Sequence, residues 1–226
     1  MAFWRSQQYD HAASRTARQE SIRDVPLSSL SDEELMLLFG NGRQEAFEEL
    51  VRRHHKPVYG YIYRMVQNRH IAEELTQDVF LGLVQNAQRY TPTAKFTHYL
   101  YSIASRLVYR EWNQRKRRPL LFSLFRGRSE EVEEGDEFVD TLPDGRASIR
   151  EKLERDEIVS AITEALAKIP PVYREPYILH RFQDLSYEEI VEILGCPLGT
   201  VKSRIFRAEK MLQPLLEPYR AYLRED

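Results

Sequence analysis

Ser203, Phe206, Arg207 and Lys210 stand three, one and three residues apart near the C-terminus, so at roughly 100° per residue they share one side of a helix. The chemistry of that set is recognition, not bond making. Arginine carries a planar fork that matches a guanine edge, lysine a point charge for a phosphate, and serine a hydroxyl for a base or a phosphate. A phenylalanine on a solvent-facing side leaves apolar area in water, whereas one meeting a thymine methyl or a sugar recovers that loss. Val201, Ile205, Ala208 and Leu212 fall together on the other side. One side of this helix packs, and the other is offered outward.

Catalytic constellations are missing from the sequence. There is no glycine-rich phosphate loop and no His/Cys set at metal-ligand spacing, and His54 and His55 are adjacent on a helix and so point two ways. An enzyme is therefore not indicated. The single cysteine, Cys196, excludes an internal disulfide and a Cys-based metal cluster, and a lone thiol fits a reducing cytoplasm. Cys196 reads as a small hydrophobe in a turn, with a redox sensor as the rarer alternative.

The element that positions the outward row is a helix-turn-helix, the simplest device for placing side chains in a DNA major groove. In its first helix Glu188, Glu189 and Glu192 supply early acid and Ile190, Val191 and Leu194 an apolar stripe. Gly195 suits the left-handed residue that ends that helix, and Pro197 the first position of the next.

At 226 residues with a net charge of −2, the chain has room for two small domains. The near-neutral sum conceals segregation. From residue 95 to 118 the basic residues Lys95, Arg106, Arg110, Arg115, Lys116, Arg117 and Arg118 face Glu111 alone, while from 129 to 145 eight acids stand with no basic residue. A basic helix followed by an acidic tether points to a DNA-contacting domain joined through a solvated linker. No stretch approaches the ~20 apolar residues needed to span a bilayer, and the N-terminus lacks a signal-peptide core, so a soluble cytoplasmic protein without membrane insertion is expected.

The remaining helices follow from periodicity. Ser31 with Glu34 is a capping-box signature, opening a short helix over residues 33–39 that Gly40 and Gly42 stop. Phe47, Leu50, Val51, Val58, Ile62, Met65 and Val66 recur at helical spacing around Pro57, where a kink or break is expected. A third helix spans about 70–89 around Leu75, Val79 and Leu83. After the turn at 90–95 a fourth runs about 96–117, with Phe96, Leu100, Ile103, Ala104, Leu107 and Trp112 on one side. The expected organisation is a loose extension over 1–28, a helical bundle over 29–118, a linker over 119–147 whose LLFSLF piece is apolar enough to dock, and a second helical domain over 148–226. No convincing β-alternation appears, so the fold class is all-α.

These motifs together resemble the bacterial sigma factors of RNA polymerase, specifically the extracytoplasmic-function (ECF) subfamily, over residues about 30–215. The run ALAKIPPVYREPYILHRFQDLSYEEIVEILGCPLGTVKSRIFRAEKML is similar to region four almost end to end. AEELTQDVFLGLV is similar to region two-point-two, and FTHYLYSIASRLVYREWNQRKRR to regions two-point-three and two-point-four. GTVKSRIFRA is the most specific of these elements.

The resemblance implies a region-two bundle and a region-four helix-turn-helix domain joined by a flexible linker, and a protein that directs promoter-specific initiation without catalysis, cofactor or metal. It places Glu73, Glu74, Gln77, Asp78 and Phe80 at the β′ clamp helices of core RNA polymerase, and region four at the β flap. It makes residues 90–95, with Tyr90, Thr91 and Lys95, the loop that receives an extruded minus-10 base. Tyr99 and Tyr101 are the available rings, and Arg106, Arg110, Arg115, Lys116, Arg117 and Arg118 clamp phosphates. Tyr99 stands where tryptophan is common in the family, Arg106 where asparagine is, and Arg110 where aspartate is. For the minus-35 element the implied contacts are Thr200, Lys202, Ser203, Phe206, Arg207 and Lys210, with Arg204 nearer the buried side and directed to a phosphate or an internal partner. An anti-sigma partner is implied as well. The competing function is an autonomous transcriptional regulator with a similar helix-turn-helix, but such proteins pair the motif with an α/β receiver or a ligand-binding domain, unlike the all-helical N-terminal half here.

Overall fold

A computed structural model describes residues 25–117 and 149–219. The described residues form helices and turns, with no strand among them. In the first unit α1 (Asp32–Gly40), α2 (Gln44–Val66), α3 (Arg69–Asn86) and α4 (Phe96–Arg117) make a bundle; in the second, α5 (Ile149–Ala167), α6 (Pro171–Phe182), α7 (Tyr187–Leu194) and α8 (Leu198–Leu216) pack together, and the buried residues of both join in one hydrophobic cluster.

Two helices of the first unit begin at a side-chain cap. Ser31 accepts from the Glu34 N–H while Glu34 reaches back to Ser31, a complete capping box under an all-acidic first turn. The Asn68 side chain accepts from the Ile71 N–H at 3.0 Å to start α3 directly after Gln67, which ends α2 in the left-handed region. Helix α1 extends through Gly40, one residue past the stop expected for it. There it lies against the turn after α3: a Cβ at position 40 would sit 2.6 Å from the Ala87 carbonyl oxygen, and only glycine permits that approach.

Pro57 does not break α2, which runs unbroken for 23 residues. Buried Leu50 on one side of the proline and Val58, Tyr61, Ile62 and Met65 on the other are held by the same core, and that packing outweighs the one missing hydrogen bond. Helix α3 ends earlier than periodicity implied, at Asn86, and tightens into a 3-10 turn over Ala87–Arg89. Before α1, Leu27–Ser29 form another 3-10 turn. Arg53 fixes it from α2 by donating to the carbonyls of Leu27, Ser28 and Leu30 at 2.8–3.1 Å.

The two units lie face to face, α4 against α7 and α2 against α5 and α6. Arg174 on α6 joins them. It donates to the carbonyls of Ile169 and Ala167 at the end of α5, and at 2.9 Å to the Met65 carbonyl at the end of α2. A cation set against two helix C-termini is favoured by both macrodipoles. Burial lowers the Arg174 pKa to about 10, so the side chain stays charged at neutral pH.

Candidate nucleic-acid interface

Helix α8 is positioned by a turn of four properties that the sequence displays. Ser186 and Glu189 form a capping box at the start of α7, and Gly195 ends that helix at φ 61°. Pro197 is the residue before α8 rather than its first, a shift of one position that still needs no N–H donor. Val201, Ile205, Ala208 and Leu212 are buried, which fixes the rotation of α8 about its axis.

The opposite side is open, and its polar and charged groups are held in place. Phe206 is 59% exposed. The Arg207 guanidinium lies over the Tyr173 ring at 5.7 Å and donates to the Tyr173 hydroxyl at 3.2 Å. Lys210 sits 5.6 Å from the Phe206 ring, and Lys202 the same distance from that of Tyr187. The Ser203 hydroxyl donates to the Thr200 carbonyl at 3.0 Å at the start of the helix. Arg204 points inward, 3.8 Å from the half-buried Cys196 sulfur, so it has an internal partner.

The second candidate surface lies at the start of α4. An open cavity of about 510 Å³ is lined by Asn86, Arg89, Tyr90, Thr91, Thr93, Ala94, His98, Tyr99 and Ser102, with Glu192 of the second unit at its edge. Its size suits one small planar group. The Tyr90 ring packs against Tyr99 at 5.3 Å and Phe96 at 6.3 Å. The buried Tyr90 hydroxyl has no hydrogen-bond partner, and burial pushes its pKa up. Lys95 does not face open solvent alone. Its ammonium meets Glu189 of α7 at 2.7 Å and, with the Ser186 N–H, holds the Glu189 carboxyl down at about 2.

Tyr101 departs from the sequence reading. Expected as an available ring, it is buried, edge-on to Tyr61 at 5.4 Å, with its hydroxyl donating to Gln183 of the second unit. Docking of the second unit captures that side of α4, which periodicity within α4 could not show. Arg106 is exposed and folds back on the Ser102 carbonyl at 2.9 Å. Arg110 pairs at 3.1 Å with Asp78 of α3, so a residue assigned to phosphate meets one assigned to protein. Arg115, Lys116 and Arg117 belong to α4 but their side chains lie outside the described residues, as does Arg118 entirely.

On α3, Glu73, Glu74 and Gln77 are exposed and Asp78 partly so, all on one helix. Glu73 pairs with Arg69 at 3.4 Å. Phe80 is the correction on this surface: it is turned into the bundle between Phe47 and the His55 ring, at 6.4 and 6.1 Å. The sequence reading missed Leu81 and Val84, 51% and 43% exposed. They continue the Glu73–Gln77 row at steps of four and three, a signal obscured because apolar residues at helical spacing are usually core. Among the described residues no helix is long and apolar enough to cross a membrane, and no group of acidic, His and Cys side chains could hold a metal.

Family comparison covers both units. Residues 50–118 match Sigma-70 region 2 and residues 160–212 match Sigma-70 region 4. The chain is 32% identical over 194 residues to the RNA polymerase sigma-H factor of Pseudomonas aeruginosa, covering 84% of this chain and 98% of that protein. It is 31% identical over 180 residues to the ECF RNA polymerase sigma factor SigW of Bacillus subtilis, covering 77% and 91%. The fold is similar to that of the sigma factor RpoE of Bartonella quintana, solved in complex with the anti-sigma factor NepR, with a TM-score of 0.56 and 22% identity over 76% of this chain and 96% of that one. The order of the two regions, their helical content and the near full-length coverage of these relatives agree, and the chain belongs to the RNA polymerase sigma factors, in the ECF subfamily.

Proposed function

We propose that this chain binds core RNA polymerase through the exposed row of α3, reads the minus-35 element with α8 and engages the minus-10 element with α4 and residues 90–95. The observation that carries the reading is the α8 outward row. Arg207, Lys202 and Lys210 are each set against an aromatic ring, so little side-chain freedom remains to be lost when they meet a groove. Thr200 and Ser203 sit at the N-terminal end of that helix, where backbone N–H groups favour a phosphate.

Minus-10 engagement follows from the cavity beside Tyr90 and Tyr99. An unpaired base entering it would stack on aromatic faces, and the basic residues of α4 would follow the strand backbone. Departures at Tyr99, Arg106 and Arg110 from the common family residues give this chain its own minus-10 preference. Region four docks on the β flap. The chain acts where core polymerase is, in the cytoplasm, as a non-catalytic initiation factor. A solved structural neighbour carries an anti-sigma factor, which supports restraint of this chain by a partner of that kind. Residues 29–118 and 148–226 act as the two units, with 119–147 as tether.

Run-off transcription with reconstituted core polymerase on a library of upstream sequences tests the proposal. Initiation at discrete sites sharing minus-35 and minus-10 sequences is expected. Transcription no greater than that of core alone on every template overturns it.

A further inference from the structure

Three cations stand on the outward row of α8, and they are held differently. Lys202 and Lys210 each sit 5.6 Å from a ring, with no hydrogen-bond partner among the described residues. Arg207 has both kinds of contact: its guanidinium lies over the Tyr173 ring at 5.7 Å, and its Nη1 donates to the Tyr173 hydroxyl at 3.2 Å. Tyr173 belongs to α6 and precedes Arg207 by 34 residues, so the brace comes from outside the helix-turn-helix.

Tyr173 itself stands on a fixed turn. Pro171 opens α6 with φ already set, and the Tyr173 N–H donates to the Pro170 carbonyl at 2.9 Å. The next two residues, Arg174 and Glu175, are 6% and 0% exposed, and Arg174 is tied to the carbonyls of Ala167, Ile169 and Met65. Such anchoring keeps the first turn of α6 from fraying or rotating. Half-buried Tyr173 therefore offers its hydroxyl to the exposed Arg207 from a rigid base.

The fork chemistry of arginine gives that bond a consequence. A guanidinium can present two parallel donors from its end, Nη1 with Nη2, or from its side, Nε with Nη2, and either pair matches two acceptors on a guanine edge. The bond from Nη1 to Tyr173 engages the end and leaves the Nε–Nη2 side free. An unbraced arginine samples many rotamers and can follow an acceptor pair to several places in a groove. Here an acceptor pair at a different place is met only by breaking the Tyr173 contact.

We propose that Tyr173 is a positioning residue for minus-35 recognition, holding Arg207 by one end of its fork and thereby setting how sharply Arg207 discriminates at its base pair. The proposal rests on the reading of α8 as the minus-35 helix.

The test compares Tyr173→Phe, Arg207→Ala and the two combined, each as the full chain in reconstituted holoenzyme, by equilibrium binding to duplexes varied across the minus-35 element. Relaxation of the Arg207 Nε–H, measured by nuclear magnetic resonance on the free chain, reads the brace directly. Tyr173→Phe keeps the ring and removes the acceptor. It should loosen the Arg207 side chain, weaken binding to the preferred sequence by roughly threefold to tenfold, the range spanned by ordering one rotamer-rich side chain, and narrow discrimination at the base pair that Arg207→Ala also relaxes. The combined variant should discriminate no worse than Arg207→Ala alone. Tyr173→Ala, which removes the ring as well, should go further in the same direction, and Tyr173→Phe carries the test by itself if the larger truncation lowers the melting midpoint. Equal weakening at every sequence with discrimination unchanged overturns the proposal, because Tyr173 then serves folding and not reading. A further loss of discrimination in the combined variant also overturns it, because the effect does not pass through Arg207. If Arg207→Ala itself leaves discrimination untouched, the reading of α8 falls and takes the proposal with it, whereas an effect of Arg207→Ala that Tyr173→Phe does not share leaves that reading standing and removes the positioning role alone.

Discussion

Helices α8 and α4 both carry residues assigned to DNA, yet the chain treats them oppositely. The row on α8 is exposed and braced by Tyr173, Tyr187 and Phe206. The start of α4 is engaged internally, with Lys95 on Glu189, Tyr101 bonded to Gln183 and Glu192 at the edge of the neighbouring open cavity. A surface that reads intact duplex can stand ready at all times. One that stacks unpaired bases carries exposed aromatic area whenever it is free, and covering it within the same chain removes that cost. The difference teaches that one surface is offered to solvent as it stands, while the other shares its side chains with the second unit.

The largest expected effect separates the two sides of α8. Ile205→Ala, at a position 2% exposed, should destabilise the second unit by about 2–5 kcal/mol, whereas neighbouring Phe206→Ala should leave the melting midpoint nearly unchanged and weaken DNA binding instead. Thermal denaturation with a binding assay on each variant reads both quantities. Equal stability losses would collapse the distinction between packed and offered sides.

Arg207→Ala should cost about 1–3 kcal/mol in minus-35 binding and relax preference at one base pair. Lys210→Ala should weaken all sequences alike and lower the salt slope by about one ion. Binding to a variant panel at several salt concentrations distinguishes them, and Phe206→Ala should be nearly salt-independent.

Tyr99→Ala sharpens the comparison from the α4 side. Binding of holoenzyme to a minus-10 single strand should fall by about 1–3 kcal/mol, the value of one base–aromatic stack. The free chain should show almost no minus-10 strand binding to lose. If the free and polymerase-bound forms bind the strand equally, the internal engagement of α4 does not limit its access to DNA.

The smallest effect is on pH. Burial raises the closed-state pKa of Glu175, so closure is fully supported below its ordinary range near 4.5 and weakens as pH rises through the raised value. The groups facing it are Tyr61 from α2, Ser105 and Tyr109 from α4, and Arg204 from α8. The Lys95 contact has the opposite sign: Glu189, held at about 2, supports closure above its ordinary value and loses that support as pH falls from about 4.5 toward 2. The melting midpoint should therefore fall slightly from pH 5 to 8, and Glu175→Gln should flatten that trend.

Much of this was legible in the residues. The helix-turn-helix was readable because early acid, glycine, proline and a four-residue apolar repeat all agreed within residues 187–212, while the Ser186 capping box emerged only from the structure. Helix α4 was readable from its apolar side, with Phe96 and Arg117 as its ends. What escaped depends on contacts distant in sequence. Pro57 reads as a breaker because the packing that carries α2 through it comes from other helices. Tyr101 reads as an available ring and Phe80 as a polymerase contact because their burial is supplied by Gln183's unit and by Phe47 respectively. Arg174 and Glu175, adjacent and charged, were singled out by no pattern in the sequence, and the meeting of the two units supplies the Met65 carbonyl to one and the Tyr61 hydroxyl to the other.

Gly40 carries a consequence for the far side of the first unit. The Ala87 carbonyl that a methyl group at position 40 would strike at 2.6 Å is the acceptor of the Tyr90 backbone N–H, at 3.2 Å. Because the obstacle is backbone, it cannot swing aside as a side chain does. A single added carbon there would act as a wedge, prying the 3-10 turn from α1 and tilting the ring that forms one wall of the base-sized cavity. The shape of that cavity is thus set in part by an atom that is missing, on a helix that never touches it.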